Sequence, residues 1–119
     1  MVLVDSSVWI GHLRAGDFDL EILLNDGQIV CHPFIIGELA CGNLKNRAEI
    51  LSLLRCLPMA KQVEHEEVLQ FIESNRLMGK GVGYVDAHLL ASAVLTAIPF
   101  WTLDKKLRQV ALKLGVSLQ

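Results

Sequence analysis

Cysteine, proline and tyrosine are scarce in this 119-residue sequence, with three, three and one of each. Cys31, Cys41 and Cys56 form an odd set with no C-x-x-C spacing. That argues against a disulfide framework and for a reducing, cytoplasmic setting. His12, His32, His65 and His88 show no zinc-ligand spacing, and His65-Glu66-Glu67 is not the H-E-x-x-H pattern. Long apolar runs are also missing. The most apolar window, Leu89 to Phe100, contains Pro99 and is too short for a bilayer span of about 20 residues. Met1 to Val4 run directly into Asp5 without a basic segment, so no secretory signal is expected. Charge is sparse as well, at 20% of residues and a formal net value of −2. Taken alone, that balance argues against electrostatic wrapping of nucleic acid, which usually requires a basic domain.

What is abundant is apolar material. Hydrophobic residues make up 52% of the chain and mean hydropathy is +0.41, which excludes disorder. A chain of this mass buries about two thirds of its extended surface, enough for a core without staples. The expectation is one domain over residues 1–119. The apolar surplus exceeds what a solitary monomer needs and points to a protein partner.

Apolar patterning alternates between short strands and helices. Val2-Leu3-Val4 reads as a buried strand ending at Asp5, followed by a helix capped by Ser6 or Ser7 with Val8, Trp9, Ile10 and Leu13 inward. A second helix, capped by Asp17 or Asp19, stops at Gly27, and Gln28 to Cys31 reads as a strand. Pro33 suits the first position of a helix reaching Gly42. A fourth helix over Asn46 to Cys56 carries Ile50, Leu53, Leu54 and Leu57, and Met59 to Val63 reads as a short strand. A fifth helix begins at the Glu64, Glu66 and Glu67 cluster and runs to Gly79. Gly79-Lys80-Gly81-Val82-Gly83 lacks the Lys-Ser/Thr ending of a phosphate-binding loop and reads as a connection. Tyr84 to Thr96 is a helix apolar nearly all round. Ile98 to Thr102 is a strand, Asp104 to Leu114 a helix, and Val116 to Leu118 a last strand. This alternation predicts an α/β fold with a mainly parallel sheet covered on both faces.

In such folds ligands bind beyond the carboxyl ends of the strands, where strand order reverses. Asp5 and Asp104 both follow strands and so belong to one sheet edge. Asp86 enters the first turn of the apolar helix, and Glu38 sits among apolar neighbours in Phe34-Ile35-Ile36-Gly37-Glu38-Leu39-Ala40. Asp5, Asp86 and Asp104 each have a simpler reading as helix caps. Glu38 has no basic residue between Arg14 and Lys45 to pair with, and a buried carboxylate needs a positive partner. A hard, hydrated cation, Mg²⁺ or Mn²⁺, fits an all-carboxylate set. Its chemistry suits phosphodiester hydrolysis.

The segments Val2-Leu3-Val4-Asp5-Ser6-Ser7-Val8-Trp9-Ile10, Gly37-Glu38-Leu39, Tyr84-Val85-Asp86-Ala87-His88 and Thr102-Leu103-Asp104 resemble PIN-domain ribonucleases, especially the VapC toxins of bacterial toxin–antitoxin pairs. The likeness runs through nearly the whole chain in order. It implies a three-layer α/β/α sandwich, a homodimer, and Asp5, Glu38, Asp86 and Asp104 as catalytic ligands of Mg²⁺ or Mn²⁺. It further implies that Ser7 and Thr102 support those carboxylates, and that water attacks phosphorus in line to leave a 5′ phosphate and a 3′ hydroxyl. A small cognate antitoxin would lay an apolar segment in a groove and cover the acidic pocket. Many PIN domains carry another acid two residues after the last aspartate, where this chain has Lys106. That leaves a second metal position open and makes Lys106 available to an RNA phosphate.

Lys105, Lys106 and Arg108, with Lys45, Arg47 and Lys80, are candidate contacts for the RNA backbone, against a simpler reading as solvated surface charge. Three other classes compete. A phosphoacceptor signalling domain would want paired early acids and a late lysine, but here Asp5 precedes Ser6 and Thr102 ends the strand. A haloacid-dehalogenase-type phosphatase would want D-x-D, which Asp5-Ser6-Ser7 is not. A non-catalytic RNA-binding or scaffold module would have no need of all four acids. With those four set aside, bases outnumber acids, and the near-neutral charge no longer argues against a nucleic-acid enzyme.

Overall fold

The structure is a computed structural model and describes residues 1–118. Three parallel strands form its centre: β1 (Val2–Val4), β2 (Ile29–Val30) and β3 (Phe100–Trp101), in the order β2-β1-β3. Leu3 pairs with Val30 on one side and Phe100 on the other, so β1 is hydrogen-bonded along both edges. Two single bridges, Cys31 with Met59 and Phe100 with Ser117, extend the sheet at either side. The strands expected at Met59 to Val63 and Val116 to Leu118 are reduced to these contacts. Each segment meets the sheet through one residue, too little for a ladder.

The described residues form seven helices: α1 (Ser6–Ala15), α2 (Phe18–Asn25), α3 (Pro33–Ala40), α4 (Arg47–Arg55), α5 (His65–Ser74), α6 (Tyr84–Thr96) and α7 (Lys105–Lys113). Parallel strands demand crossovers, and these helices supply them. α3 packs on α1 and α4, while α5 packs on α6. The result is an α/β/α sandwich. Its core joins Leu3, Val4, Val8, Ile29, Ile35, Leu89, Leu90, Phe100 and Leu107, all buried. On α6 every residue from Ala87 to Ala93 is buried, the polar His88 and Ser92 included. Its end emerges, leaving Val94 and Leu95 exposed.

Several local expectations need correction. The inward face of α1 is Val8 and Trp9, whereas Ile10 and Leu13 are exposed. On α4 the buried pair is Leu51 and Leu54, and Leu53 faces out. α5 stops at Ser74, because Arg76 turns left-handed with φ 52° and ends the helix before Gly79. Asp17, of the two residues considered, caps α2 by accepting the Leu20 N–H at 3.0 Å. Pro33 opens α3 as expected, behind an unexpected cap: His32 Nδ1 accepts the Phe34 N–H at 2.9 Å.

The order β2-β1-β3 makes β1 the strand from which the chain builds first to one side and then to the other. Such a reversal opens a crevice at the carboxyl ends of the strands. Asp5 is the residue that follows β1 there.

Candidate metal centre

Asp5 continues the line of β1, its N–H donating to the Trp101 carbonyl at 2.9 Å. It stands at the cap position of α1, yet its carboxylate makes no capping bond to that helix. Instead Oδ2 accepts two hydroxyls, Ser7 Oγ at 2.7 Å and Thr102 Oγ1 at 2.8 Å. The cap explanation for Asp5 therefore fails. Each hydroxyl has one proton and spends it on Asp5, so the 3.4 Å approach between Ser7 and Thr102 carries no hydrogen bond of its own. Each also accepts a backbone N–H, Leu103 to Ser7 and Asp104 to Thr102, both at 3.1 Å. The segment after β3 is thus stitched to the residue after β1.

Asp104 does cap α7: its Oδ1 accepts the Leu107 N–H at 3.0 Å. Asp86 accepts the Gly83 N–H on Oδ2 at 3.1 Å, at the start of α6. For these two aspartates capping and ligation are compatible, because each bond uses one oxygen. All three aspartates keep a second carboxylate oxygen to which no described residue donates.

Glu38 corrects the argument made for it. Ile35 and Leu39 form the buried stripe of α3, and Glu38 falls beside that stripe on the exposed side. Its apolar neighbours in sequence do not enclose it. Even so, its pKa is raised, by partial desolvation and by the charges of Asp5 and Asp86, while the Ser6 hydroxyl pulls the other way. The pKa of Asp86 is raised by desolvation and by Asp5 and Asp104, against the lowering effect of its bond from Gly83. These influences link all four acids in one electrostatic neighbourhood. Ser6 is the participant that sequence reasoning missed, having been assigned only to a cap.

The four do not close on a point. Among the described residues, no group of three or more His, Cys, Asp or Glu side chains is arranged to hold a metal ion as it stands. The bonds from Leu107 and Gly83 hold Asp104 and Asp86 to their own helices, and like charges favour separation.

The basic candidates divide by face. Lys106 lies over Gly81, and Lys80 lines the same small cavity. Arg108 faces away, onto a cavity of about 680 Å³ shared with Trp101, Thr102 and Asp19. Lys45 and Arg14 share another cavity, of about 620 Å³, with Glu38. Lys105 is simply exposed, and Arg47 donates to the Gly42 carbonyl at 3.1 Å.

Comparison with known proteins agrees with this architecture. The PIN domain family profile matches residues 2–113. Ribonuclease VapC32 from two strains of Mycobacterium tuberculosis, CDC 1551 / Oshkosh and H37Rv, is 47% identical, the alignment spanning 99% of this chain and 96% of the relative. The crystal structure of PAE2754 from Pyrobaculum aerophilum superposes with a TM-score of 0.62 over 92% of this chain and 78% of the other, at 15% identity, a likeness of fold alone. The chain belongs to the PIN-domain family and lies within its VapC group.

Proposed function

We propose that this protein is a metal-dependent endoribonuclease that hydrolyses RNA phosphodiester bonds, the toxin of a toxin–antitoxin pair. The observation that carries the reading is the position of Asp5. It is buried at the strand reversal, fixed by two hydroxyls through one oxygen, and within electrostatic reach of Glu38 and Asp86. Near-full-length identity to relatives named ribonucleases supports the same activity.

The donor set fits a hard divalent cation: oxygen ligands only, several of them with an unengaged oxygen, and mutual repulsion that a cation would relieve. Asp5, Glu38, Asp86 and Asp104 are the residues that would hold Mg²⁺ or Mn²⁺. When bound, the cation supplies Lewis acidity for water and for the phosphate oxygens. Ser7 and Thr102 keep Asp5 in one rotamer. Glu38, being exposed, can swing toward the cluster by side-chain rotation.

The other parts of the proposal are one domain over residues 1–119, a cytoplasmic setting, a homodimer, and a small antitoxin. No described helix is long and apolar enough to cross a membrane. For the antitoxin, a groove of about 220 Å³ lined by Trp9, Leu13, Leu24, Leu53, Leu54 and Leu57 offers apolar contact. The test is incubation of structured RNA with protein freed of antitoxin. Cleavage that needs Mg²⁺ or Mn²⁺ and stops on chelation supports the proposal, and cleavage indifferent to chelation overturns its metal dependence.

A further inference from the structure

α7 carries Lys106, Gln109, Val110 and Lys113 on one face, at the i, i+3, i+4, i+7 spacing that aligns side chains along a helix. This face, together with Asn75, Leu77, Lys80 and Leu114, lines a cavity of about 90 Å³. Three lysines, Lys80, Lys106 and Lys113, and two amides, Asn75 and Gln109, line it, with no carboxylate among them. Three like charges around one small opening repel each other, and an anion there would turn that cost into attraction.

The geometry is arranged around Lys106. Its stem lies directly on Gly81, which has φ 77° and no side chain; a Cβ at that position would collide with Lys106. Glycine thus serves both the left-handed turn and the passage of the lysine. Two walls of this cavity adjoin, along the chain, segments that carry acids. Lys106 follows Asp104 by two residues, and the loop containing Gly81 ends at Gly83, whose N–H holds Asp86.

We propose that Lys80, Lys106 and Lys113 form a seat for a phosphate diester of the RNA strand, next to the acidic cluster. The proposal rests on the ribonuclease reading for its ligand. It separates the lysines from Arg108, which sits on another face of α7.

Each phosphate neutralised on a single strand contributes about −0.7 to the slope of log affinity against log salt, or about fivefold at 0.1 M relative to 1 M salt. Binding is measured by fluorescence anisotropy of a labelled single-stranded RNA, in the Asp104→Asn background. That asparagine can still cap α7, so the fold is kept while cleavage is silenced. Adding Lys80→Gln and Lys106→Gln should weaken binding by about 25-fold at 0.1 M salt and flatten the slope by about 1.4. Adding Arg55→Gln and Lys61→Gln, an equal change of charge on α4 and just beyond it, should leave the slope unchanged. Equal losses in the two double variants, or no RNA binding in the Asp104→Asn protein, overturn the seat. Inorganic phosphate replacing chloride at equal ionic strength should compete with the RNA in the Asp104→Asn protein and lose that advantage once Lys80→Gln and Lys106→Gln are added; competition no better than chloride's would contradict an anion seat. Failure of the wild-type protein to cut RNA while this binding pattern persists would instead count against the ribonuclease reading.

Discussion

Thr102 Oγ1 donates to Asp5 Oδ2 at 2.8 Å while accepting the Asp104 N–H at 3.1 Å, so one hydroxyl sets two of the four acids relative to each other. Ser7 Oγ reaches the same oxygen of Asp5 from α1. Thr102→Val keeps the shape and removes both bonds. The expected cost is about 1–3 kcal/mol in urea unfolding, because a buried carboxylate loses a donor. RNA cleavage should fall as well, and Thr102→Ser should restore both. An unchanged cleavage rate in the valine variant would show that this link does not position Asp5.

Glu38 and Asp86 have pKa values raised by partial desolvation and by neighbouring acids. A raised carboxylate pKa means that the folded state holds its proton more tightly than the unfolded chain. The favourable contribution is therefore present below the ordinary carboxylate range, about pH 4, and is lost as pH rises through the raised folded values. At pH 7 Glu38→Gln and Asp86→Asn should each be more stable to urea than the wild type. The gap should close as pH falls below that range. Wild-type stability equal to or above both variants at pH 7 would contradict the repulsion.

The same repulsion predicts a response to cations. Mg²⁺ or Mn²⁺ should raise the thermal midpoint of the wild type in a saturable way, since ligands that bind only the folded state stabilise it. Asp5→Asn and Asp86→Asn should blunt the effect. A shift of the same size in the variants would place the cation elsewhere.

His32 supplies a separate acid sensitivity. Its Nδ1 accepts the Phe34 N–H, leaving the proton of the neutral ring on the buried Nε2, which has no partner among the described residues. Burial, with a smaller effect from His88, lowers its pKa to about 4. Protonation of Nδ1 would break the cap of α3. Stability from this group is present above pH 6.5 and is lost as pH falls from there to about 4. His32→Asn retains a capping acceptor and should flatten that acid dependence between pH 6.5 and about 4. A variant with the same acid profile as the wild type would refute this.

The order of strands and helices was legible because apolar runs and capping residues repeat along the chain; Asp17 and Pro33 stand where their chemistry puts them. Edges were less legible. Met59 and Ser117 each make one bridge, a matter of tertiary reach that local pattern does not encode. Faces were misjudged where apolar residues exceed the buried stripe, as at Ile10, Leu13 and Leu53. Glu38 shows the same difficulty from the opposite side: apolar neighbours at successive positions do not share its face of α3. The acids themselves could be found from their places after strands, but which oxygen each commits to a cap could not. The lysine cavity escaped because Lys80 and Lys113 come to line one cavity with Lys106 only in the folded chain.

The most direct measurement compares RNA cleavage by the wild type, Asp5→Asn and Asp104→Asn, each freed of antitoxin, with Mg²⁺ or Mn²⁺ and with chelator. The carboxylate cluster predicts cleavage by the wild type only with the cation, reduced by at least a hundredfold, about 3 kcal/mol, in either variant. Equal cleavage by the variants, or cleavage that persists in chelator, would contradict it.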